Sequence, residues 1–417
     1  MKKIASFILC AAMIFSVLSG TFFADSPFDF SITSEASEYN KTMLPYCYKK
    51  LTDEEKLAYL KMRTAFIDHR EFMLISIPVE TIEKLTNIMM YADAMTSFDF
   101  PVGKNVMQYY YNESTQKTSM VRFNYVYSKE DYDRIIKKSD KAAMEIISEF
   151  TDDTSDYEKI KYIHDYIVNE TSYVINDSNN SAYDVLVLGE AKCDGYAHAF
   201  DYLCAKAGIR SMTVSGYARN RSDESEYHAW NKVYCGKKWY NVDVTWDDPE
   251  TNLKNNLSYK YFMVSDEAIG NTHVQTDNGF YIPKADSDGA DYYHKYGFYA
   301  DTLSEAKNIF ADKIAKAAKK GKNSVTVRLS DKGVYDEVMK CFSDAGEMLD
   351  VMDRASQMSG GKIITDGCSY HGEDDCMYTV TIYFYFKGGR LSDYFKDIKQ
   401  LDGDTLSFLK EIGLKEE

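Results

Sequence analysis

Cys193, His228 and Asp243 are residue types that together make a thiolate nucleophile, a base to serve it and a carboxylate to orient the base. Each lies in a local setting that suits its role. Cys193 stands in Gly189-Glu190-Ala191-Lys192-Cys193-Asp194-Gly195-Tyr196-Ala197-His198-Ala199-Phe200, where a glycine break precedes apolar residues at Ala199, Phe200, Leu203, Cys204 and Ala207. That spacing marks one face of a helix. Gly208 is a good C′ residue, so the helix is expected from about Cys193 to Ala207. Cys193 then opens the helix, where unpaired N–H groups and the macrodipole favour a thiolate over a thiol.

The other two residues lie on an expected β-hairpin, Tyr227 to Cys235 and Lys238 to Trp246, both rich in aromatic and β-branched residues around Gly236-Lys237. A Cys235-Gly236 loop places His228 directly opposite Asp243. A Gly236-Lys237 loop makes the pair diagonal, with both side chains still on one face. Ala229, Val233, Val242 and Val244 are expected on a core side, and His228, Trp230, Asn241 and Asp243 on a polar side lining a cleft.

This constellation resembles the transglutaminase-like superfamily, whose pattern is a cysteine opening a helix, a histidine on a following strand and an aspartate on the next. The matching segments are Ala191-Lys192-Cys193-Asp194-Gly195-Tyr196, Tyr227-His228-Ala229-Trp230-Asn231 and Trp239-Tyr240-Asn241-Val242-Asp243-Val244-Thr245-Trp246-Asp247. Upstream, Tyr157 to Ile167 and Ser181 to Leu186 resemble the lead-in of bacterial secreted members. The likeness covers roughly residues 150 to 265, one domain of ordinary size. It implies an α+β, papain-like core, with the nucleophile helix packed on an antiparallel sheet. It also implies Cys193 as nucleophile, His228 as general base and acid, and Asp243 as the residue that holds the imidazole tautomer. The thioester would pass to water in proteolysis or deamidation, and to an amine in cross-linking. Hydrolysis is the expectation, with γ-glutamyl transfer, or a non-catalytic binding protein on the same scaffold, as the alternatives. The Cys193 N–H is the first oxyanion donor, and Tyr183, ahead of the nucleophile, is a weaker candidate for the second.

Bland readings compete at single positions. A lone helical cysteine is usually a small buried hydrophobe, as Cys204 is expected to be. His198 lies about 140° around the helix from Cys193 at 3.6 residues per turn and points away from it. His164 sits on a helix already explained by its periodicity. Asp247-Asp248 before Pro249 suggests calcium, which some animal transglutaminases use, but paired acids in a loop read first as a solvated turn. With no EF-hand, HExxH, paired CxxC, P-loop or GxGxxG pattern, neither metal nor cofactor nor nucleotide is expected.

The chain has 417 residues, 45% of them hydrophobic, enough for two or three domains. A formal net charge of −16 argues against a nucleic-acid partner. Lys2 and Lys3 precede an apolar run from Ile4 to about Phe23, which has the parts of a secretory signal peptide over residues 1–24. Thr21 stands where a lipoprotein would need cysteine, so export without lipidation is expected, with no membrane attachment after cleavage. The partner is expected to be a peptide or protein, cell-wall or surface material included. Without Cys10 and Cys193 six cysteines remain, and Cys368 with Cys376, flanking a turn, are the best pair for a bridge.

The expected organisation is a mixed α/β region over 38–150, the catalytic domain over 151–285 and an α+β domain over 290–417. The first region reads as helices Leu51 to Ala65, Val79 to Met95 and Asp131 to Phe150 with a Met107 to Tyr127 hairpin, and Ser155-Asp156-Tyr157-Glu158 is a capping box. The last reads as helices Ser304 to Lys320 and Gly333 to Gln357, strands Ser324 to Leu329, Lys362 to Tyr370 and Met377 to Phe386, and a terminal helix.

Overall fold

Hydroxyl and carboxylate side chains set most of the helix starts. Thr52 and Ser155 each accept the N–H of a glutamate three residues on, and that glutamate returns the bond to the cap backbone, so Asp53–Ile67 and Asp156–Glu170 open on capping boxes. Ser128, Thr302, Asp331 and Asp344 cap Lys129–Ile147, Leu303–Lys319, Lys332–Phe342 and Ala345–Ser359. The single helix expected from Gly333 to Gln357 is therefore two. Asp344 turns away from helical geometry and restarts the run. The helix expected from Val79 to Met95 likewise ends at Asn87 and continues as a wider turn over Ile88–Ala92.

The structure, a computed structural model, describes residues 44–99, 107–175, 180–219, 225–248, 257–374 and 377–416. The expected signal peptide lies outside them. The fold is α+β, and the chain divides into two compact units that alternate along the sequence. One holds the described residues up to Gly216 with Tyr227–Lys237 and Gln275–Pro283. The other holds the described parts of Tyr217–Glu226, Lys238–Val274 and Lys284–Glu417.

In the first unit, strands β1 (Phe72–Leu74), β2 (Met107–Asn112) and β3 (Lys117–Phe123) form an antiparallel sheet of order β1-β3-β2. The Asn112 side chain closes its hairpin by accepting the Ser114 and Thr115 N–H groups. Short strands β4 (Ser172–Tyr173) and β5 (Glu190–Ala191) pair in parallel. The helix Cys193–Lys206 follows, then β6 (Ser211–Arg219) and β7 (Ser225–Cys235). In the second unit β8 (Lys238–Val242) pairs antiparallel with β9 (Phe262–Val264), and β10 (His273–Gln275) begins there. Strands β11 (Tyr299–Ala300), β12 (Ser324–Leu329), β13 (Ile363–Glu373) and β14 (Thr379–Phe386) form a sheet of order β11-β12-β14-β13. Phe310, Ile314, Val351 and Met352 from its helices fill the core against Val327, Val380, Ile382 and Phe384.

A buried polar cluster ties the amino-terminal helix of the first unit to its neighbours. Arg63 donates from Nε to Asp93 Oδ2 at 2.6 Å with both side chains fully buried, and Tyr59 donates to the same oxygen. Asp93 Oδ1 also accepts the Met95 N–H at 3.0 Å. Nearby, burial pushes the Asp201 carboxyl up to about 7, against the opposing hydrogen bond from Ser211 and with the charge of Asp93 adding to it. Removing one member of such a pair leaves a buried charge uncompensated. Asp93→Leu is accordingly expected to lower unfolding stability by about 3–5 kcal/mol. The double change Arg63→Met/Asp93→Leu should recover most of that loss, as read from urea titrations.

Candidate active site

The nucleophile is placed by the turn before it. Ser181 donates from its N–H and its hydroxyl to Asp184 Oδ2 at 2.8 and 2.7 Å, starting the helical turn Asp184–Leu188. Gly189 ends that turn at φ +73°, where a side chain would be strained and a Cβ would sit 3.4 Å from the Glu170 carbonyl. The chain then pairs as β5, and extended Lys192 leads into the helix at Cys193. Unlike the caps above, Lys192 gives its helix no capping side chain, so the first-turn amides beside Cys193 are left to other acceptors. Cys193 is 7% exposed. The helix ends at Lys206 with Ala207 as its C-cap and Gly208 at φ +77°, within a residue of the expected end. Burial raises the Asp194 carboxyl next to the thiol, against the opposing charges of Lys192 and His228.

His228 lies on β7, 5% exposed, with its ring stacked 6.2 Å from that of Trp230. Three residues further, Asn231 donates to the Ala197 carbonyl at 2.9 Å, pinning this strand to the helix that Cys193 opens. The side expected to be polar and to line a cleft is buried like the core side, since every residue from His228 to Val233 is buried. The strand has packing partners on both faces rather than one. Strands β7 and β8 are joined by Gly236-Lys237, at φ +56° and +70°, the second of the two expected loops.

Asp243 falls one residue beyond β8, because the strand expected to reach Trp246 stops at Val242. The cause is local: Asp243 Oδ1 accepts the Trp246 N–H at 3.1 Å and its carbonyl accepts the Asp247 N–H at 3.1 Å, which curls the chain into a turn. Asp247 is not in a solvated turn either. It is fully buried, and Oδ1 accepts from the Tyr261 N–H and the Ser258 hydroxyl, each at 3.0 Å. The other Asp243 oxygen meets a residue the sequence reading passed over, His273, whose Nε2 lies 2.9 Å from Oδ2 with both side chains fully buried. Two atoms that a metal would want are thus bonded to each other. A three-residue strand after a turn carries too little periodicity to have flagged His273.

The remaining candidates separate. Tyr183 is half-buried at the start of the Asp184–Leu188 turn, ahead of the nucleophile as expected. Also unread in the sequence are Tyr91 and Tyr227, hydroxyls 3.0 Å apart, both sensing the Asp194 charge. His164 is buried with Nδ1 3.0 Å from Asp165. Cys368 is a free thiol, and Cys376, its expected bridge partner, lies outside the described residues. His198 is buried, and its burial lowers it to about 4, which keeps the ring neutral in the fold. The unfolded chain takes up this proton below about 6.5 and the folded chain only below about 4, so acidification through that window removes up to about 3 kcal/mol. Urea midpoints at pH 7 and pH 4.5 should show a smaller acid loss in His198→Gln than in the wild type.

Residues 140–244 match the model of the Transglutaminase-like superfamily. Over 143 residues the chain is 30% identical to kyphoscoliosis peptidase of Homo sapiens, an alignment covering 31% of this chain and 21% of that protein. The Mus musculus kyphoscoliosis peptidase is 29% identical over the same length, with the same coverage. The chain thus spans about a fifth of the length of these curated relatives. Among solved structures, the crystal structure of a TGase is similar at 15% identity and a TM-score of 0.24, covering 42% of this chain and 50% of that one.

Proposed function

We propose that this chain, whose residues 140–244 belong to the transglutaminase-like superfamily, is a thiol-dependent acyl-transfer enzyme that hydrolyses peptide or protein amides through Cys193, His228 and Asp243. The observation that carries the reading is the start of the Cys193 helix, which lacks a side-chain cap and is held against the strand bearing His228 by Asn231. His228 takes the thiol proton, and the thiolate attacks the amide carbonyl carbon. The oxyanion that forms is met by the Cys193 N–H, with Tyr183 the second candidate donor. The imidazolium then gives its proton to the departing nitrogen as the carbon–nitrogen bond breaks. Water, deprotonated by the same imidazole, resolves the thioester and restores the thiol–imidazole pair. Asp243 fixes the imidazole tautomer throughout.

Cross-linking differs only in its last acceptor, an amine in place of water. The apolar run at residues 4–23 supports export, and the substrate is then an extracellular peptide or protein.

Iodoacetamide labelling of Cys193, followed by mass spectrometry across a pH series, tests the reading. Fast labelling well below the ~8.5 of a free thiol is expected, and it should vanish in His228→Ala. Slow labelling of ordinary thiol character in both proteins overturns the assignment. With a cleaved substrate in hand, Asp243→Asn should lower kcat by about 10³–10⁴-fold, as the wrong imidazole tautomer does elsewhere. Incorporation of a fluorescent primary amine into a glutamine-bearing protein, with no hydrolysis, would move the assignment to cross-linking.

A further inference from the structure

We propose that His273 is a positioning residue for the reaction, the group that fixes the Asp243 carboxylate so that Asp243 can orient His228. The proposal rests on the triad reading above. Asp243 has no exposed surface, and an ionised carboxylate there requires donors in place of water. One comes from the Trp246 N–H on Oδ1, the other from His273 Nε2 on Oδ2. A carboxylate only accepts, so Nε2 carries the proton of this bond. The far nitrogen of the ring, Nδ1, is 2.8 Å from the Thr272 hydroxyl, which in turn lies 3.2 Å from the Ile269 carbonyl. Both edges of the imidazole are therefore anchored, and its orientation follows from the turn at 269–272.

The faces of the ring are fixed as well. Trp246 stands edge-on at 4.6 Å between centroids and Tyr261 lies at 5.4 Å, while the two aromatic rings pack on each other at 5.3 Å. Trp246 thus serves the carboxylate twice, through its amide and through the ring that walls in His273. A carboxylate offers roughly four lone-pair sites, and these two bonds hold one on each oxygen. Without His273 the carboxylate loses the donor that holds Oδ2.

Labelling of Cys193 by iodoacetamide at pH 6 and pH 9 tests this in the full chain, alongside urea midpoints for each variant. His273→Leu is expected to slow labelling at pH 6 by about 10–100-fold while leaving labelling at pH 9 near the wild-type rate, in the range typical of outer-sphere partners. His273→Gln, whose amide N–H reaches the Nε2 position, should restore most of the pH 6 rate. His273→Asn, one methylene shorter, should not. If His273→Leu does not fold, the Gln and Asn variants alone decide the matter. Equal pH 6 labelling in wild type, His273→Gln and His273→Asn overturns the positioning role, as does a drop in stability with no change in the pH 6 to pH 9 ratio. A wild-type protein without low-pH labelling overturns the triad reading first and this inference with it, so the two failures are distinct.

Discussion

A carboxylate shut away from water survives only where fixed donors replace its hydration, and much of the second unit around Asp243 is organised by that requirement. Strand β8 ends at Val242 because the next residues must curl back to offer an amide to Oδ1. The strand His273–Gln275 is only three residues long, yet it starts on the residue that serves Oδ2. Asp247, four residues on, repeats the device with the Tyr261 amide and the Ser258 hydroxyl. Each buried acid thereby dictates a turn, and the two turns fix the aromatic rings between them. Hydrophobic packing alone has no such directional demand.

The first unit uses the same physics to fix its helices. Asn231 holds β7 to the Cys193 helix through a carbonyl, a contact that sets register as well as distance. Asp93 gathers Arg63, Tyr59 and the Met95 amide around one carboxylate, and Asn87 reaches the Asn278 carbonyl at 2.8 Å from far along the chain. Fully satisfied networks of this kind favour one arrangement over near-equivalent ones. The amino-terminal residues lie in the same compact unit as the nucleophile helix, and the Tyr91 hydroxyl meets that of Tyr227 on β7 at 3.0 Å.

What could be read in the sequence follows the range of the interactions involved. The Ser155 capping box and the Cys193 helix with Gly208 beyond its end are local and legible, and the Gly236-Lys237 loop is one of the two that local turn rules allowed. The α+β class followed from the same local elements. The break at Asp344 was missed because the apolar spacing continues through it, and only the side chain's capping bond reveals the restart. The two-sided burial of His228 to Val233 was missed because His228 and Lys232 alternate with Ala229 and Val233 as the outward positions of a one-sided strand do. Of the buried bonds to Asp243, the one from Trp246 is three residues away and that from His273 is thirty, and no spacing rule reaches the second.

The alternation of the two units along the chain bears on how the molecule is made. The first unit has 216 residues of chain behind it when the sequence crosses to the second, and its last strands and loop are complete only at Pro283. At ribosomal speeds of ~5–20 residues per second, the intervening 67 residues take roughly 3–13 s to emerge, far longer than a helix or hairpin needs to form. The strand that carries His228 is complete at Cys235, early in that interval, whereas Gln275–Pro283 come last. The nascent protein therefore passes through a stage in which the apolar interior of the first unit waits uncovered until its last loop is made.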